Sequence, residues 1–238
     1  MHIKTLLPVL LVFVVSTAQA HEHDAIFHAL RLELDAGESR DNESVASWNV
    51  DSWIGGDTHK LWIKSEGEVR EHAMTRSEMW ALYSYNVDTF WDLQAGLRYD
   101  NHPANTTYFV VGAIGMMPYF VEMEAHAFVS DEGDVSARLH VERDWLLTQK
   151  LIAQPYFEMN AFAQEVKELE VGSGLSDTKL GLQLRYEITR KFAPYIAVEY
   201  ERLYGDTADY ANRRGEDSGD STIKAGVRFL FGSGRKRV

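Results

Sequence analysis

Between residues 25 and 231 apolar and polar side chains alternate with a period of two, again and again and over stretches of ten residues or more. Trp91, Leu93, Ala95, Leu97 and Tyr99 form one row, and Asp92, Gln94, Gly96, Arg98 and Asp100 the other. Thr178, Leu180, Leu182, Leu184, Tyr186 and Ile188 oppose Asp177, Lys179, Gln183, Arg185 and Glu187 in the same way. Ile223, Ala225, Val227, Phe229 and Phe231 oppose Thr222, Lys224, Gly226 and Arg228. Only an extended strand produces such rows, because its successive side chains point to opposite faces. Twelve strands are predicted, near 25–36, 45–54, 59–68, 75–86, 90–100, 107–116, 119–130, 136–146, 150–164, 175–189, 193–204 and 221–231.

Strand length separates a membrane barrel from a soluble sandwich. Soluble strands average about 5–6 residues, whereas about 9–11 tilted residues cross a bilayer. The predicted connections also alternate in length. Gly55–Thr58, Val87–Thr89, Met117–Pro118, Leu147–Gln149 and Arg190–Phe192 are short, while Asn101–Thr106, Glu165–Gly174 and Gly205–Asp220 are longer and polar. Outer-membrane barrels have short periplasmic turns, longer external loops, an even strand number and aromatic girdles. Trp91, Tyr99, Tyr119, Tyr186, Phe229 and Phe231 near strand ends supply such girdles. Ionisable residues on nearly every polar row require a wet lumen, and closure removes the exposed sheet edges. The expected fold is therefore all-β: a closed antiparallel transmembrane β-barrel of about 12 strands, following a cleaved signal peptide.

The leader is legible in the first twenty residues. Lys4 opens a short n-region, Leu6–Val15 is an apolar h-region, and Ala18-Gln19-Ala20 is a small-x-small cleavage site. The expected division is 1–20 signal peptide, 21–24 periplasmic segment, 25–231 barrel and 232–238 tail. Loss of Lys4 leaves 23 basic against 36 acidic residues, a formal charge of −13. That balance excludes a nucleic-acid partner, which needs clustered Lys and Arg, and favours cations. The absence of cysteine excludes disulfides, thiolate metal centres and a cysteine nucleophile. Neither a Gly-x-Ser-x-Gly elbow nor a phosphate loop is present, so no enzyme is expected.

Three groups of residues are candidate metal ligands. Cleavage after Ala20 would expose His21-Glu22-His23, where a free amine, two backbone amides and the His23 imidazole make a square of nitrogens suited to Cu(II). His21 is a competing ligand, and His28 lies close by. In the hairpin 119–146, pairing Ser130 with Ser136 would set His126 against His140, Glu124 against Glu142 and Glu122 against Asp144. Opposed carboxylates repel across about 4.5–5.5 Å, so they call for a bound cation or a basic side chain. Arg138, Arg185 and Lys179 are the available side chains, and such a network is the ordinary content of a lumen. Met116 and Met117, at a predicted periplasmic turn, are soft thioether candidates for Cu(I).

Several runs carry a family resemblance. Lys60–Glu68 (KLWIKSEGE), Trp91–Asp100 (WDLQAGLRYD), Leu146–Pro155 (LLTQKLIAQP), Gly172–Asp177 (GSGLSD), Arg185–Tyr195 (RYEITRKFAPY) and Gly205–Tyr210 (GDTADY) occur in family order. Together they make residues 45–231 resemble the bacterial copper resistance protein B family. The resemblance implies an outer-membrane barrel, embedded in lipid, that binds copper and works with a periplasmic multicopper oxidase against excess copper. Many family members carry a long Met- and His-rich segment before the barrel. Here only His21-Glu22-His23-Asp24 stand there, which directs copper binding to the lumen, the turns or that triplet. The rival expectations are a general porin, a lipid-acting outer-membrane enzyme and a structural or adhesive barrel.

Overall fold

The structure, a computed structural model, describes residues 26–232. The signal peptide 1–20, the ligand candidates His21 and His23 and most of the tail lie outside those residues. Twelve strands form one antiparallel sheet: β1 (Phe27–Ser39), β2 (Ser44–Gly55), β3 (His59–Arg70), β4 (Ala73–Asp88), β5 (Trp91–His102) and β6 (Thr106–Met117). They continue with β7 (Val121–Ser130), β8 (Val135–Glu142, resumed at Trp145–Leu146), β9 (Leu151–Phe162), β10 (Gly174–Tyr186), β11 (Phe192–Leu203) and β12 (Gly219–Gly232). Each strand pairs with its sequence neighbours, and β1 also pairs with β12, Leu32 opposite Phe229, so the sheet closes. No described helix is long and apolar enough to cross a membrane. The strands make the crossing, and the twelve expected segments are all present.

The molecule is inside out, as a lipid solvent requires. Leu97 and Leu180 are 55% and 59% exposed on the outer face, while Lys60, Lys64, Glu78, Asp92 and Lys224 are buried within. Tyr99, Tyr186 and Phe231 are exposed near strand ends, and Tyr119 stands out from a periplasmic turn. Each is placed where an amphipathic ring bridges hydrocarbon and water.

Two expectations about the connections are corrected. The segment 101–106 is not a long loop, because β5 and β6 extend into it and leave three residues, 103–105. Within 204–218 the chain forms α1 (Gly205–Arg214) instead of irregular loop. Asp206 in its first turn and Arg213 and Arg214 in its last complement the helix dipole. Gly215, in the left-handed region at φ 83°, closes it with a Schellman pattern, its amide donating to Asn212 and that of Glu216 to Ala211. Thr207 and Ala211, four apart, form the buried face. The Thr207 hydroxyl accepts from the Gly172 amide at 2.9 Å, which ties α1 to the 163–173 loop.

The lumen as candidate functional site

The hairpin of β7 and β8 carries four of the candidate ligands, and its register differs from expectation by two residues. Ser130 pairs across the turn with Asp134: its amide donates to the Asp134 carbonyl, and the Gly133 amide donates back to Ser130. Gly133, at φ 95°, occupies the left-handed position of a three-residue turn with a bulge, which shortens the loop relative to the expected five residues. The slip of two keeps every side chain on its expected face but changes every partner. Glu124 therefore faces His140, His126 faces Arg138, and Glu122 faces Glu142. His126 does not face His140.

The two histidines enter different environments. His126 is 5% exposed, and its Nε2 lies 2.8 Å from Gln94 Oε1, with the Trp80 ring edge-on at 5.3 Å. His140 lines the open lumen between two carboxylates. Its Nδ1 is 3.4 Å from Glu158 and its Nε2 3.4 Å from Glu142. Glu124 is held by Lys64 at 2.6 Å, from β3 on the far side of the lumen. Of the other candidates, Met116 is on the lumen row opposite Glu122, Met117 on the opposite row beside Val121, and His28 on the outer row near the periplasmic end of β1. Among the described residues no group of three or more His, Cys, Asp or Glu is arranged to hold a metal ion.

Beyond the hairpin, the interior divides into two halves. Inside β3–β7, Trp80, Leu82, Tyr108, Val110 and Phe128 form a buried apolar cluster on the lumen-facing rows, with Trp62 packed against it. Arg98 lies against three of these rings, 4.9 Å from those of Tyr108 and Phe128 and 5.3 Å from Trp80. Glu78, 2% exposed, accepts from Arg138 through both oxygens at 3.0 Å, from Arg76 at 2.7 Å and from the Trp80 indole at 3.1 Å. This half is a packed plug, with a small cavity of about 220 Å³ beside Glu78, Arg98 and Phe128.

The remaining half is a chamber of about 1110 Å³ that opens toward the external loops. Fourteen acidic side chains line it against seven basic ones, with His140 among them. Tyr156 crosses the face of Gly181, where any Cβ would collide with the ring, and donates to Glu199. Lys224 pairs with Glu199 at 2.8 Å, and Arg70 of β3 reaches Asp220 of β12 at 2.6 Å. At the rim, the segment after α1 is tied down by ion pairs of Arg40 with Asp217 and of Arg214 with Glu170.

A model of the family described as copper resistance protein B precursor (CopB) matches residues 26–231. The chain belongs to the copper resistance protein B family. It is 44% identical over 211 residues to copper resistance protein B of Escherichia coli, covering 88% of this chain and 71% of that protein. It is 38% identical over 214 residues to a copper resistance protein B homolog of Pseudomonas syringae pv. tomato (strain ATCC BAA-871 / DC3000), covering 90% and 72%. Among solved structures it resembles the NanC porin, with a TM-score of 0.60 at 12% identity over 83% of this chain and 98% of that one. It also resembles the KdgM porin, with a TM-score of 0.55 at 10% identity over 84% and 99%. These likenesses are of fold. The family membership and the fold together place the protein in the outer membrane, with a role in copper resistance.

The residues that sequence reasoning missed are those contributed from outside the hairpin: Lys64 on Glu124, Glu158 on His140 and Gln94 on His126. Pairing rules within a hairpin reach only adjacent strands, so β3 and β5 leave no local mark on β7. Adjacency of β8 and β9 was available, and it would have set Glu158 opposite His140.

Proposed function

We propose that this barrel contributes to copper resistance by collecting copper in the outward-facing chamber and releasing it from there to the exterior, without catalysis. The acidic chamber carries this reading. Its excess of carboxylates concentrates cations relative to anions, and the low-dielectric wall focuses that field. His140, between Glu142 and Glu158, offers the one imidazole among the lining residues, with oxygen donors on both sides. A mixed nitrogen and oxygen donor set suits Cu(II). Met116, lumen-facing near the periplasmic end, is the soft donor for Cu(I) on entry. The His21-Glu22-His23 triplet remains the proposed first Cu(II) ligand set, and a periplasmic multicopper oxidase the proposed partner. The barrel has no energy source of its own, so export follows a gradient or a partner's work.

The two histidines separate this reading from a generic lumen network. Titration of purified protein in detergent with copper against zinc should show copper bound in preference. His140→Ala should lower copper affinity about tenfold or more, in line with loss of one nitrogen ligand. His126→Ala, buried in the plug, should leave it unchanged. Equal loss in both variants, or none in His140→Ala, would remove the chamber site.

A further inference from the structure

The chamber has a floor. A second cavity of about 210 Å³ lies below it, among residues 143–144 in the break of β8 and residues of the periplasmic turn 187–191. The two cavities share four lining residues, Arg31, Glu142, Gln154 and Arg228, and these make a neck between them. Three of the four are locked to their surroundings. Gln154 accepts from Arg185 at 2.8 Å and Arg228 at 2.9 Å, and Arg228 is also held by Gln183 at 2.9 Å and Glu33 at 2.5 Å. Glu142 is shared with His140 on its own strand.

Arg31 differs. It pairs with Asp51 on the adjacent strand β2 at 3.1 Å, and reaches across the lumen from β1 to Glu142 on β8 through one 3.6 Å contact. Strands β1 and β8 are not hydrogen-bonded neighbours, so this contact spans the bore. A long side chain, partly exposed, makes the bridge, and its single contact is the weakest tie in the neck.

We propose that Arg31 is the gate and selectivity residue of this lumen, and that a divalent cation crosses by displacing its guanidinium from Asp51 and Glu142. The charge on either side fits that role. The lower cavity is lined by six basic and four acidic residues, the chamber above by an acidic excess, so a cation's barrier falls at the neck. When Arg31 withdraws, two carboxylates face the vacated space with the His140 imidazole beside one of them. Asp51 Oδ1 is already buried without a hydrogen-bond partner among the described residues. The metal and the guanidinium compete for the same oxygens: binding of one releases the other, and a divalent cation neutralises both carboxylates where the single guanidinium charge offsets only one. The selectivity for copper within this scheme rests on the proposed chamber chemistry, whereas the gating does not.

Conductance of the mature protein in planar bilayers tests the gate without copper. In a KCl gradient, Arg31→Gln should raise single-channel conductance severalfold and shift the reversal potential toward cation selectivity. Glu142→Gln should raise conductance by freeing Arg31, without the shift toward cations. Arg31→Lys, which keeps the positive charge but cannot bridge both carboxylates, should raise conductance with a smaller shift toward cations than Arg31→Gln. Heat-modifiable migration in gels verifies the barrel in each variant. Added Cu(II) should block the Arg31→Gln current and fail to block that of the double variant Arg31→Gln/Glu142→Gln. Wild-type conductance and reversal potential in folded Arg31→Gln would overturn the gate. An open Arg31→Gln channel that Cu(II) leaves unblocked would keep the gate but overturn metal exchange at its carboxylates. Absence of copper binding in the detergent titration would sink the copper reading alone.

Discussion

The two halves of the interior solve the same problem differently. Both must hold buried charge inside a closed sheet. The plug within β3–β7 satisfies the buried Glu78 with three arginines and an indole, and aromatic faces cover two of those arginines, Arg98 and Arg138. The chamber, lined from β8–β12, β1 and β2 and by the outer ends of β3 and β4, spreads its carboxylates around about 1110 Å³ of open space. An uncompensated charge is costly where water is absent and tolerable where water reaches it. The comparison teaches that one side of this barrel is built for rigidity and the other for ion traffic.

The largest expected effect comes from removing the centre of the plug. Glu78→Gln leaves Arg76, Arg98 and Arg138 without their shared partner, and should cost about 3–5 kcal/mol. Guanidinium unfolding in lipid vesicles, followed by tryptophan fluorescence, measures it. A cost under about 1 kcal/mol would mean that the aromatic packing alone holds this half and that the contrast is overstated. In the chamber, Tyr156→Phe removes the hydrogen bond to Glu199, yet water can replace the hydroxyl. Its cost by the same assay should be about 1 kcal/mol. A value near that of Glu78→Gln would show that the chamber is as dry as the plug.

The smallest effect belongs to the rim. The hydrogen bond from Arg214 holds the Glu216 carboxyl below its ordinary range. A folded value below the unfolded one means that the pair contributes above the unfolded value and is lost as pH falls through the folded value. Amide exchange across 205–218 should therefore be equally protected at pH 7 and 6 and loosen only below about pH 4. Loosening already at pH 6 would assign the fastening of this loop to a different group.

Much of this architecture was legible in the residues, because a period of two is unambiguous over ten positions. Every strand and the closure followed from it, and so did the lumen-facing row wherever charged residues mark it. The two-residue slip at Gly133 was not legible, since a hairpin's hydrophobic rows are satisfied equally by registers that differ by two. Helix α1 was hidden because only Thr207 and Ala211 are buried, too few to mark a helical stripe. The plug escaped for a related reason. Trp80, Leu82, Val110 and Phe128 stand in rows where both faces are apolar, and only the closed structure distinguishes lipid from lumen. For the candidate ligands, sequence gave the correct face and the wrong partners.

The uneven connections carry a consequence of their own. Four of the six outward connections are two to four residues long, and only 163–173 and 204–218, of 11 and 15 residues, rise beyond the rim. An antibody, a phage or a neighbouring cell meeting this protein from outside finds little else to grip. The same two loops, fastened to each other by Thr207 and Arg214, are where an inserted epitope would be displayed.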